Sequence, residues 1–127
     1  MSASEPIGSI QWHDLTVPNA EDIRDFYCHV VGWQFADVRM GDYCDYNMLA
    51  EGEQDGVAGV CHARGSNAGL PPQWLIYITV DDVATAAERC QASGGSIIDG
   101  PRSMGSRQFC VIQDPAGAVC ALIEPKR

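Results

Sequence analysis

The feature that most constrains this chain is an internal repeat. Moving the first half along by 63 residues lays Thr16-Val17 on Thr79-Val80 and Gly32 on Gly95. The order of elements then agrees throughout, although identity between the halves is weak. Residues 9–17 read as a strand that Pro18 ends, and Asn19 is placed to cap a helix reaching Val31, with Glu21 and Asp22 in its first turn. Ile23, Phe26, Tyr27, Val30 and Val31 form one apolar stripe, and Gly32 suits the helix end. Strands follow near 33–38, 43–49 and 57–63, divided by turn-forming Gly and acidic residues. Residues 64–73 read as a linker. The second half repeats the order: strand 74–80, helix 83–93 capped from Asp81-Asp82, and strands near 96–99, 107–113 and 118–123, with Asp114-Pro-Ala-Gly117 as a tight turn. The pattern predicts an α+β fold in one domain: a βαβββ module at about 8–63, the linker, and a second at about 74–124.

The length, 127 residues, suits one domain. With 17 acids against 8 bases, the formal charge is −9, which argues against nucleic acid and against an anionic membrane. No apolar run approaches the ~20 residues that span a bilayer. The N-terminal residues Met1–Pro6 are polar, so a cytoplasmic location is expected. The six cysteines are scattered without a CxxC pair and are expected to be reduced.

Two stretches, Leu15 through Tyr27 followed by Gly32-Trp33, and Val80-Asp-Asp-Val83 with Gly94-Gly95 and Asp114-Pro-Ala-Gly-Ala118, resemble the vicinal oxygen chelate superfamily. This superfamily includes glyoxalases, bleomycin resistance proteins and extradiol dioxygenases. The resemblance runs over about 8–124. It implies that the two modules form one curved mixed-sheet cup, and that the protein is a homodimer. It does not fix an activity, because one fold hosts many chemistries.

Metal-dependent members place one ligand on the first and last strand of each module. Counting from the strand-ending valines and the turn glycines, the resemblance puts Trp12, Val60, Leu75 and Ala121 at those places. None offers a donor that a divalent cation takes. No metal or other cofactor is therefore expected, and the chain is similar to the branch that binds without metal.

Strand alternation selects the lining. With Trp12 inward, Asp14 and Thr16 follow, and the repeat adds Leu75, Tyr77 and Thr79. Asp14 and Tyr77 become mates under the repeat. Val60, His62 and Ala121 complete the wall, and Tyr46 and Asn47 are expected near its mouth. The alternative for 42–47 is a polar edge strand. The segment 102–108 is a candidate lid, with Arg107 able to recognise a carboxylate or phosphate. His13 is expected to face away.

The main reading is thus a small organic molecule held in an apolar cup. An alternative is a small lyase or isomerase, with Asp14 as general base and Tyr77 or His62 polarising a carbonyl. Asp14 equally reads as a structural acid accepting a hydrogen bond from Tyr77. A further alternative is a metal-dependent glyoxalase or dioxygenase with relocated ligands such as His62, Asp14 and Asp45.

Overall fold

In the computed structural model, residues 5–125 are described. Among them are eight strands, two α-helices and a 3-10 turn at Gly65–Asn67. The first module comprises β1 (Ile10–Val17), α1 (Ala20–Val31), β2 (Gln34–Arg39), β3 (Cys44–Leu49) and β4 (Gly56–His62). The second comprises β5 (Trp74–Thr79), α2 (Val83–Ala92), β6 (Ser96–Met104), β7 (Arg107–Gln113) and β8 (Val119–Ile123). The strand–helix–three-strand order occurs twice, giving an α+β fold.

The compact units divide inside β1 and at the start of β5: His13–Trp74 forms one, and the residues up to Trp12 join those from Leu75 onward in the other. The exchange has a hydrogen-bonding cause. Gly8 N–H donates to the Thr79 carbonyl at 2.7 Å, and Thr79 N–H donates to the Ser9 carbonyl at 2.8 Å.

In the His13–Trp74 unit the strand order is β2-β3-β4-β1, with β1 and β4 parallel and the other pairs antiparallel. The segment 42–47 is therefore not an edge: β3 lies inside, and β2 takes the edge with mostly exposed residues. Leu15, Val17, Ala20, Tyr46, Met48 and Val60 form the core beneath α1. Met48 and Val60 are both fully buried, each contributing about 1.5–3 kcal/mol by burial.

The other unit has the order β5-β8-β7-β6, with β5 and β8 parallel. Val83 and Ala87 of α2 form a core with Cys110 and Leu122 of the strands beneath it. Asp82 caps α2 by accepting the Thr85 N–H at 3.0 Å, and Glu124 Oε2 accepts the Val83 N–H at 3.0 Å. Glu124 Oε1 also accepts the Gln108 N–H at 3.3 Å, so one carboxylate ties the helix start to β7. Asp114 closes the β7–β8 turn, its Oδ1 accepting the Ala116 and Ala118 N–H groups at 2.8 and 3.0 Å.

Two expectations about helix ends change. Asn19 makes no side-chain cap; its backbone carbonyl takes the Ile23 N–H instead. The left-handed residue after α1 is Gly32 at φ 85°, and its counterpart after α2 is Gly94 at φ 94°, not Gly95. The repeat therefore has an offset of 63 at the helix starts, Ala20 and Val83, and of 62 by the helix ends. Gly95 serves a different purpose. A Cβ there would lie 2.6 Å from Cys90 Sγ and 2.9 Å from the Gln113 carbonyl, so helix and strand approach through it.

Segment 102–108, expected as a loop, is the end of a strand hairpin. β6 runs on to Met104, and β7 starts at Arg107 after a turn at Gly105, whose φ is 64°. Pairing of Met104 with Arg107 makes this a hairpin, whose ladder holds the backbone that a lid would need to move.

Candidate functional site

Register decides which side chains share a face. In the first unit, β1 and β4 pair Asp14 with Gly59, Leu15 with Val60, Thr16 with Cys61 and Val17 with His62. Parallel partners point to the same side, so Asp14, Thr16, Gly59 and Cys61 share the face away from α1. The β3 partner of Gly59, Asn47, joins them. Leu15, Val60, Val17 and Tyr46 point under the helix.

Three expected lining residues are thereby displaced. Val60 is a fully buried core residue beneath α1, not a wall of the opposite face. Tyr46, the cross-strand partner of Val60, is 5 % exposed in the same core and does not reach a mouth. His62 follows the parity of Val60, and its carboxylate partner is Asp45 rather than Asp14. The physical reason is that the count started from Gly56, whereas the register makes Asp55, one residue earlier, the counterpart of Gly117. Ala121 pairs with Tyr77, as Gly59 pairs with Asp14, so Gly59 is the counterpart of Ala121.

Asp45 is the most heavily used acid in this unit. It is 7 % exposed, and its Oδ1 accepts the His62 backbone N–H at 2.9 Å, with His62 Nδ1 at 3.2 Å from the same oxygen. The Cys61 thiol is pushed far above its usual range, first by burial, then by the charges of Asp14 and Asp45, with a hydrogen bond to Asp45 adding to them. Cys61 is therefore a protonated thiol and not a nucleophile. Asp14, Asp45 and Cys61 lie close enough to feel one another, a grouping that needs the register and is invisible in the linear chain. Tyr43 lies edge-on to His62 at 5.4 Å, with the Arg64 guanidinium 3.9 Å over the Tyr43 ring.

In the second unit, Leu75, Tyr77 and Thr79 alternate with Ile76 and Ile78 along β5. Tyr77, Ala121 and Val111 form one cross-strand row; Thr79, Ile123 and Phe109 form the next. All face away from α2, whose partners are Ile78, Cys110 and Leu122. This face is densely packed: Leu75 is 1 % exposed, and Thr79 and Ala121 have no exposure. Solvent contact persists at Trp12, Asp14 and Asn47, which are half-buried.

Arg107 is engaged inside its own unit. Its Nη1 lies 3.8 Å from the Glu5 carboxylate and 3.5 Å from the Glu124 carbonyl. Arg102 was not anticipated. It is held by Asp99 through Nε and Nη2, the closest bond being 2.9 Å, with its guanidinium 4.3 Å over the Phe109 ring. The i, i+3 spacing of Asp99 and Arg102 was the available signal, hidden because β6 was expected to stop at 99.

Of the places that the resemblance implies for metal ligands, Trp12, Val60, Leu75 and Ala121, the register exchanges Val60 for Gly59, since Gly59 pairs with Asp14 as Ala121 pairs with Tyr77. A divalent cation needs N, O or S donors, and these side chains supply none, so the residues do not fit the metal. Among the described residues, no group of three or more His, Cys, Asp or Glu is placed to hold one. Of the trio His62, Asp14 and Asp45, Asp45 and His62 are in contact, with Nδ1 3.2 Å from Oδ1.

A second feature was missed entirely. Beside α1, Trp74 separates two apolar grooves. One, of about 300 Å³, is lined by Leu15, Ile23, Phe26, Tyr27 and Pro72 among others; the second, of about 320 Å³, by His13, Trp33, Val57 and Ala58. Trp74 Nε1–H donates to the Tyr27 hydroxyl at 3.0 Å, and Trp33 stands edge-on to Trp74 at 5.9 Å.

Comparison with known proteins gives consistent results. The model of the Glyoxalase/Bleomycin resistance protein/Dioxygenase superfamily matches residues 8–122. The protein named "Putative glyoxylase CFP32", from Mycobacterium bovis and from Mycobacterium tuberculosis, is 29 % identical over 119 residues, or 93 % of this chain. This chain spans only 44 % of the length of those curated relatives. Among solved structures, methylmalonyl-CoA epimerase from Mycobacterium tuberculosis aligns with a TM-score of 0.57 at 14 % identity, covering 100 % of this chain and 94 % of that one. A superfamily member from Vibrio splendidus gives 0.58 at 14 %, covering 89 % and 96 %. At these identities the structural likeness shows a shared fold.

Proposed function

Because the chain belongs to the Glyoxalase/Bleomycin resistance protein/Dioxygenase superfamily, we propose that it binds a small organic molecule without the help of a metal. One consideration carries the reading: the places that the resemblance implies for metal ligands fall on Trp12, Leu75 and Ala121, and Gly59 is the match of Ala121 because it pairs with Asp14 as Ala121 pairs with Tyr77. The apolar surface open to a ligand lies within the His13–Trp74 unit, in the two grooves beside Trp74, where His13 and Gln73 are polar members of the lining. Apolar walls with a few polar groups suit an organic ligand. Among the described residues no helix is long and apolar enough to cross a membrane; a cytosolic site of action is the expectation that goes with this reading. The expected assembly is a homodimer.

A thermal-shift panel of neutral aromatic compounds tests the reading. Stabilisation by at least one class, undiminished by chelator, is expected. A panel that leaves the melting point unmoved would end it.

A second reading, a lyase or isomerase, is favoured by one specific observation: Asp14 lies close enough to the buried Cys61 thiol to raise its pKa. A carboxylate in such surroundings can take a proton next to a carbonyl, and relatives of the same fold include an epimerase of a CoA ester. On this reading Asp14→Asn loses about 100-fold or more in turnover of a carbonyl substrate. Unchanged turnover removes Asp14 as the base.

A further inference from the structure

Of the two grooves beside Trp74, the one against α1 holds a polar group that the fold uses on one side only. Its floor is fixed. Leu15 and Val17 belong to the buried core, and Ile23 and Tyr27 pack against that core from the helix. Trp74 and Phe26, the latter 53 % exposed, add aromatic walls. The Tyr27 and Trp74 rings meet edge-on, with centroids 5.3 Å apart at 77°. The Tyr27 hydroxyl accepts the Trp74 Nε1–H at 3.0 Å. A phenol hydroxyl also has a hydrogen of its own to give. Accepting one bond polarises that O–H and makes it a better donor.

We infer that this groove takes a flat, uncharged, two-ring aromatic compound with a hydrogen-bond acceptor on its edge, and that the Tyr27 hydroxyl donates to that acceptor. The inference rests on the reading that the grooves hold the organic ligand, and it names the ligand's class.

Size, shape and charge select that class together. The groove has a volume of about 300 Å³, at the small end of sites for organic molecules, which suits one fused ring pair. Two rings set nearly at right angles let a flat molecule stack on one and turn its edge to the other, and both are favoured aromatic arrangements. The lining contains no Asp, Glu, Lys or Arg. An ion entering it would give up water without meeting an opposite charge, so an uncharged compound is selected.

Polarity then decides between compounds of one outline. The hydroxyl donates, so the ligand edge must accept. A hydrocarbon of the same shape covers the hydroxyl without pairing its hydrogen, and that lost bond is worth about five-fold in affinity.

The test is equilibrium dialysis of the full chain against quinoline and against naphthalene, at a mildly alkaline pH that keeps quinoline uncharged. The two probes share an outline, and only quinoline has a ring nitrogen to accept. The natural protein is expected to hold both. Tyr27→Phe keeps the ring, and is expected to weaken quinoline about five-fold and leave naphthalene unchanged. Naphthalene is the control for Trp74, whose N–H loses its acceptor in this variant: a displaced indole weakens both probes alike. An equal change for both probes, or an unchanged affinity for quinoline, overturns the role of Tyr27. Phe26→Ala trims an exposed wall and spares the core, so it carries the test should Tyr27→Phe fail to fold. It is expected to weaken both probes, and unchanged affinities would overturn the inference by placing the probes elsewhere. A natural protein that holds neither probe overturns the inference outright. The wider reading then stands if the thermal-shift panel finds a stabilising compound of another class, and falls with it if none does.

Discussion

Val60→Asp is expected to unfold the chain, or to lower its stability by more than about 4 kcal/mol in urea denaturation. Val60 has no exposure and sits among Leu15, Val17, Tyr46 and Met48 beneath α1. A carboxylate there has no cation within the cluster, so it must ionise in apolar surroundings or take a proton at a cost. A domain of this size holds about 5–15 kcal/mol in total, so the loss is a large share of it. The prediction separates two registers. Had Val60 lined the ligand face, an acid there would alter binding and leave the melting point nearly unchanged. A well-folded Val60→Asp protein with altered ligand preference would therefore return Val60 to that face.

Asp45→Ala is expected to cost about 2–4 kcal/mol, although the change is from a polar to an apolar side chain. Asp45 is 7 % exposed, and the buried oxygen it presents accepts the His62 N–H at 2.9 Å. Removing it leaves that N–H, the nearby imidazole Nδ1 and the Cys61 thiol without their acceptor. Asp45→Asn keeps one oxygen and should recover about half of the loss. The Cys61 thiol should stay slow to alkylate in both variants, because burial is the first cause of its raised pKa and persists. Equal stabilities for Ala, Asn and Asp at this position would show that the three donors do not depend on it.

The sequence carried the elements well, and for physical reasons. Period-two runs such as Trp74–Thr79 and turn chemistry such as Asp114–Gly117 are local, and both appear where expected. The Asp82 cap is equally local. Faces are not local. The one-residue shortening between the two helix ends is marked only by Gly94 replacing Gly95 as the left-handed residue, yet it turns Val60 under the helix and brings Gly59 out. A slip of one residue reverses every side chain on a strand. Asp14 and Thr16 in β1, and Tyr77 and Thr79 in β5, alternate as expected within their own strands, because the shortening comes after β1 and does not touch β5.

Other parts were illegible for different reasons. The Asp45–His62 contact joins two strands and depends on their pairing, so no spacing rule marks it. Arg102 was hidden by the length of β6, which was expected near 96–99 and runs to Met104; an edge strand tolerates Pro101, since it needs only one ladder of hydrogen bonds. The stripe on α1 was read correctly as a stripe. Periodicity reports which residues share a side of a helix, not what covers them, and Phe26, Val30 and Val31 are exposed.

The central claim is that the chain holds an organic ligand without a metal. The most direct measurement is a calorimetric titration of the best compound from the thermal-shift panel into chelator-stripped protein, repeated with zinc, manganese or nickel in excess. The same affinity in every titration is the predicted result, since Trp12, Gly59, Leu75 and Ala121 give a metal nothing to bind. Binding that appears only when a divalent metal is added would contradict it.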